Sequence, residues 1–105
     1  MHWNFGEKDE ILLVEGFAKL IREKGNVSGD LILTNKRIIF YSYAEELLEI
    51  SLLSITNMAI VKTLQWWQKG LTISTGNEYF RFIVEYAEDW QKVIESQIHI
   101  TLGRD

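Results

Sequence analysis

The side chains that could do chemistry in this 105-residue chain are few and scattered. Its two histidines, His2 and His99, stand near opposite ends, and neither belongs to a metal-ligand or general-base spacing. The seven glycines sit singly at turns or bends. They form no nucleophile elbow, phosphate-cradling P-loop or paired-glycine dinucleotide loop. With no cysteine, disulfides, thiolate catalysis and thiolate metal sites are excluded. The carboxylate pairs Glu45-Glu46 and Glu88-Asp89 fall in a polar connection and at a helix start. Solvation accounts for the first and complementarity to the helix dipole for the second. The chain therefore reads as non-enzymatic, with no metal and no cofactor.

The elements that position these residues are organised around Gly29-Asp30-Leu31-Ile32-Leu33-Thr34-Asn35-Lys36-Arg37-Ile38-Ile39-Phe40-Tyr41. Leu31 and Leu33, then Ile38 and Phe40, alternate with their neighbours at a period of two, as in a sheet with one well-buried face. The Thr-Asn-Lys-Arg corner between the strands has a mechanism, because Asn35 can adopt a left-handed conformation and bond its own backbone.

Before that hairpin, residues 10–22 form a long first strand whose inward face is Leu12, Val14, Gly16, Ala18 and Leu20. Gly16 marks a bend or bulge. A helix competes here, and the internal glycine and missing cap favour strand. Gly25-Asn26 turns the first loop. After the hairpin come a polar connection from Ser42 to Glu46 and a short strand within residues 47–55. A fifth strand spans Asn57 to Trp67, with Met58, Ile60, Leu64 and Trp66 on one face.

Gln68-Lys69-Gly70 turns the chain into a strand where Leu71, Ile73 and Thr75 alternate. Gly76-Asn77 makes another tight turn, and Phe80, Phe82 and Val84 then face inward. Glu88 to Ile98 is the one helix. Trp90, Val93, Ile94 and Ile98 form its apolar stripe, the natural plug for the open mouth of a bent sheet.

The chain has room for one domain: a lead-in at residues 1–9 carrying Trp3 and Phe5, a body at 10–98 and a tail at 99–105. The 47% hydrophobic and 25% charged fractions are those of a globular protein. No run approaches the roughly 20 apolar residues that cross a bilayer, and the first residues lack the pattern of a signal peptide. A cytoplasmic location, peripheral to a membrane at most, is expected. Net charge of −4 argues against nucleic acid as a partner.

Gly29-x-Leu31-x-Leu33-Thr34-Asn35-x-Arg37-x-x-Phe40 resembles the core pattern of GRAM and bacterial pleckstrin-homology-like domains. Nearly the whole chain is in register with it. Glu15-Gly16-Phe17 precedes it; Leu52-Leu53-Ser54-Ile55, Gly70-Leu71-Thr72-Ile73, Tyr79-Phe80-Arg81-Phe82 and Trp90 follow. The resemblance implies a mainly β fold: a seven-stranded, strongly bent sheet, or partly open barrel, capped by one C-terminal amphipathic helix. It implies no activity.

It does raise head-group binding, because pleckstrin-homology relatives hold inositol phosphates with lysines and arginines around the first loop, through several charge-assisted bonds. The candidates here are Lys19, Arg22, Lys24, Lys36 and Arg37, with Glu23 and Asp30 in or beside the same loop. A peripheral module reading phosphoinositide or another anionic head group is thus the alternative reading. An apolar small-ligand carrier using the mouth of the sheet is a third.

The favoured reading rests on apolar residues at positions that alternation turns outward: Leu13, Phe17, Ile21, Ile32, Ile39, Tyr41, Tyr43 and Ile83. A contiguous patch of this kind marks an interface. Twisted strands, cover from Trp3 and Phe5, or a shifted register would account for it otherwise. In Trp66-Trp67 the two rings must point to opposite faces, which leaves Trp67 outward. The expectation is a binding and assembly module working through protein contacts, self-associating through Leu13, Phe17, Ile39, Tyr41 or Trp67.

Overall fold

The computed structural model describes residues 9–44, 46–62 and 69–103. Seven strands are joined in one antiparallel sheet: β1 (Leu12–Ile21), β2 (Val27–Thr34), β3 (Arg37–Ser42), β4 (Leu47–Ser51), β5 (Asn57–Lys62), β6 (Lys69–Ser74) and β7 (Tyr79–Val84). Their order is β4-β3-β2-β1-β7-β6-β5, so β1 is the seam between a four-stranded half and a three-stranded half. The helix α1 (Ala87–Thr101) closes the structure and packs on β5, β6 and a short 3-10 turn at Leu52–Ser54.

Alternation places one continuous apolar face inside. Leu31 pairs with Phe40 and Leu33 with Ile38, and all four are buried. Leu71 pairs with Phe82, and the Phe40 and Phe82 rings lie 5.5 Å apart across the barrel. Ala87, Trp90 and Ile94 complete this core from the helix, with Ile98 packed at its margin.

Several expectations shift. A bulge between Leu12 and Val14 breaks the alternation at the start of β1, so Leu12 is exposed while Ala18 and Leu20 remain inside. Lys69 and Gly70 are the first residues of β6 rather than a turn, paired with Lys62 and Val61. The short fourth strand stops at Ser51, and the chain continues into the 3-10 turn. The helix runs on through His99, Ile100 and Thr101. Val93 is 37% exposed and outside the core, because the plugging stripe is Ala87, Trp90, Ile94 and Ile98, and Val93 stands on its flank. Leu64, Trp66 and Trp67 lie outside the described residues, as do Trp3 and Phe5.

Gly29 opens the motif because β2 and β3 meet too closely there for a side chain. A Cβ at this position would lie against the Tyr41 carbonyl oxygen and 2.7 Å from the Ser42 Cα, both backbone atoms of a paired strand. Gly29→Ala is expected to destabilise by about 1–3 kcal/mol, measured by urea denaturation. An unchanged midpoint would show that the two strands separate there at no cost.

Candidate functional site

The outward face of β1 to β4 carries the candidate interface. One cross-strand row runs Phe17, Asp30, Tyr41, Leu47 over four adjacent strands. Phe17 is 57% exposed, Leu47 53%, and Tyr41 is half-buried. Tyr43, just past β3 and 61% exposed, joins the row: its ring centroid lies 6.3 Å from that of Phe17. Its hydroxyl donates to Asp30 Oδ1 at 3.2 Å. Partial desolvation, then the Asp30 carboxylate, push the Tyr43 phenol above its usual pKa. Leu13 is exposed on the same strand as Phe17.

Ile39 does not belong to this surface. In the next row, Glu15, Ile32, Ile39, Glu49, the two isoleucines stand opposite each other and are buried, Ile39 to 1% exposure. They lie outside the main core cluster, so alternation put them on the correct face, yet their burial removes them from the patch.

The five candidate cations do not converge. Arg22 and Lys24 are in the β1–β2 loop, whereas Lys36 and Arg37 sit at the β2–β3 corner, at the other end of β2. Eight residues of strand separate the two groups by roughly 25 Å. Lys19 is half-buried within β1. Arg22 is taken up by Glu46 at 3.2 Å and by the Gly25 carbonyl at 3.2 Å. It rims a cavity of about 410 Å³ at the mouth of the sheet, whose walls include Leu20, Val27, Phe40, Leu48 and Phe80.

Arg37 has a structural partner that sequence reading missed. Its guanidinium donates twice to Glu10, at 2.8 and 3.0 Å, and once to Glu49 at 2.6 Å. The Glu10 side chain is fully buried and accepts a third bond from Thr34 Oγ1 at 2.7 Å. Burial by itself would raise the Glu10 carboxyl. Hydrogen bonds from Arg37 and Thr34, with the charges of Arg37 and Lys36, outweigh it and hold the pKa below the ordinary value.

Asn35 binds the same incoming segment, accepting from the Ile11 amide at 2.8 Å and donating to the Asp9 carbonyl at 3.0 Å. It is not left-handed; Thr34 Oγ1 turns the corner instead, accepting from the amides of Lys36 and Arg37. The Thr-Asn-x-Arg motif therefore anchors the segment entering β1. Nothing local in the sequence marks Glu10 as its partner, because the two lie 27 positions apart.

Among the described residues no group of three or more histidine, aspartate or glutamate side chains could hold a metal ion. No helix among them is long and apolar enough to cross a membrane.

No protein-family model matches this chain, and no curated protein sequence does. Solved structures do. The N-terminal PH domain of Vps36 aligns with a TM-score of 0.74 at 14% identity, over 93% of this chain and 86% of that one. The C-terminal domain of an unknown protein from Leishmania infantum aligns with a TM-score of 0.73 at 17% identity, over 85% and 84%. The linker-DH/PH structure of p115-RhoGEF aligns with a TM-score of 0.62 at 11% identity, over 90% of this chain and 30% of that one. At these identities the likeness is one of fold, and the fold is pleckstrin-homology-like.

Proposed function

We propose that this chain is a cytoplasmic, non-enzymatic binding and assembly module of the GRAM type, acting through protein contacts and self-associating by the outward face of β1 to β4. The observation that carries this reading is the exposed set Phe17, Tyr43 and Leu47 on one outward face, with Phe17 and Tyr43 side by side and Leu13 exposed on the same strand as Phe17. Aromatic and aliphatic side chains grouped in this way gain by excluding water against a partner surface. The GRAM assignment rests on the motif Gly29 to Phe40, whose glycine, threonine, asparagine and arginine each have a structural task here.

The alternative is a peripheral module that takes an anionic head group at the mouth of the sheet, and the cavity rimmed by Arg22 favours it. Against it stand the separation of the cations, the Arg22–Glu46 pair and the net charge of −4.

One experiment with two arms tests both. In sedimentation at high micromolar concentration the wild type should associate, and Leu13→Ser/Phe17→Ser should be monomeric. A monomeric wild type would sink the assembly reading. In parallel, phosphoinositide vesicles at physiological salt should pull down little of the protein. Tight, salt-sensitive binding lost in Arg22→Glu/Lys24→Glu would put the head-group reading in its place.

A further inference from the structure

The two edges of β1 are paired unequally. Toward β2 it is matched from Leu12 to Leu20, but toward β7 only from Ala18 to Ile21. The cause is local: β7 ends at Val84, opposite Ala18, and the chain turns through Glu85 and Tyr86 into α1. Among the described residues no strand lies on that side of Leu12–Phe17.

Hydrogen-bond alternation identifies the open groups. The Asn35 amide reaches the Ile11 carbonyl at 3.2 Å, and the Tyr43 amide reaches the Ser28 carbonyl at 2.9 Å. Odd-numbered residues of β2 therefore bond toward β1 and even-numbered ones toward β3. Val14 and Gly16, opposite Leu33 and Leu31, bond toward β2. The Glu15 amide and carbonyl and the Phe17 amide then point to the open side, while Leu13 stands in the bulge.

That side is a groove of about 370 Å³ between β1 and the start of α1. Its floor is Gly16 under the Trp90 ring, which lies 3.5 Å from where a Gly16 Cβ would stand. Tyr86 forms part of the lining, 75% exposed and held at φ 58°, ψ 44°, a left-handed conformation that bulky residues seldom keep outside functional sites. Glu15, Glu85 and Asp89 are exposed along it, and among the described residues no lysine, arginine or histidine lines it. Glu88, on the same turn, is bonded to Lys69.

We propose that this half-edge of β1 takes an extended, basic peptide of another protein by strand addition. An open row of amides and carbonyls is satisfied by extended main chain, the apolar floor takes alternate side chains, and the acidic rim selects lysine or arginine between them. A second copy fits poorly. Antiparallel pairing of two β1 edges about Glu15 sets Glu15 against Glu15, with like charges directly opposite. The site adjoins the outward face proposed for assembly and shares Phe17 with it, by main chain here and by side chain there, so backbone exchange and sedimentation read the two apart.

The test uses the full chain at low micromolar concentration and a ten-residue peptide alternating lysine and valine. Two comparators replace lysine by glutamate, or valine by proline. Hydrogen exchange at the Glu15 and Phe17 amides should slow at least 10-fold with the lysine–valine peptide. Both comparators should bind at least 10-fold more weakly. Tyr86→Gly relieves the left-handed strain, so it should melt no lower than wild type and still bind the peptide several-fold more weakly. Equal binding of the proline peptide, or unchanged exchange at the two amides, would overturn the proposal.

Discussion

Trp90→Ala should cost the fold about 3–5 kcal/mol, seen as a lower urea midpoint at an unchanged slope. Trp90 is 6% exposed and sits among Ala87, Ile94 and the inward residues of β1, over the one β1 position that has no side chain. Truncation removes a large buried surface and leaves a cavity that the hydrogen-bonded sheet cannot collapse to fill. In a domain of this size the loss is a large share of the total stability. Val93→Ala, one residue off the plugging stripe, should cost far less. A Trp90→Ala loss under about 1 kcal/mol would mean that the helix does not plug the sheet.

Arg37→Ala should cost about 3–5 kcal/mol at neutral pH, because it leaves the Glu10 carboxylate buried with its charge uncompensated. Acid offers a second measurement of the same contact. The folded pKa of Glu10 lies below its ordinary value of 4.5, so in acid the unfolded chain binds the extra proton. The stability due to Glu10 is therefore complete above about pH 4.5 and is lost as pH falls through the depressed folded value. The difference in unfolding free energy between wild type and Glu10→Gln should be flat near neutrality and shrink in that acid window. A difference that stays constant down to pH 2 would show that Glu10 does not titrate against Arg37.

These two sites differ in how far the sequence alone discloses them. Trp90 was readable because a helix repeats its stripe every three or four residues, and each member of the stripe is a near neighbour in the chain. The inward residues of β2, β3, β6 and β7 were readable for the same reason at a period of two. The motif from Gly29 to Phe40 pointed to the fold, and the solved structures agree on it.

The sequence did not disclose what each residue faces. Glu10 looked like no more than the first residue of a long strand; only the return of the chain sets it against Arg37, 27 positions later. Ile39 and Phe17 occupy the same outward face by alternation, yet one is buried and the other exposed. Arg22 and Arg37 looked like members of one basic set until β2 placed them at opposite ends. The groove beside β1 needs Glu15 and Tyr86, which meet only because β7 stops opposite Ala18. Periodicity is a property of neighbours along the chain and determines which way a side chain points. Burial, ion pairing and open strand edges depend on which distant segment arrives opposite, and that is decided when the whole sheet closes around its core.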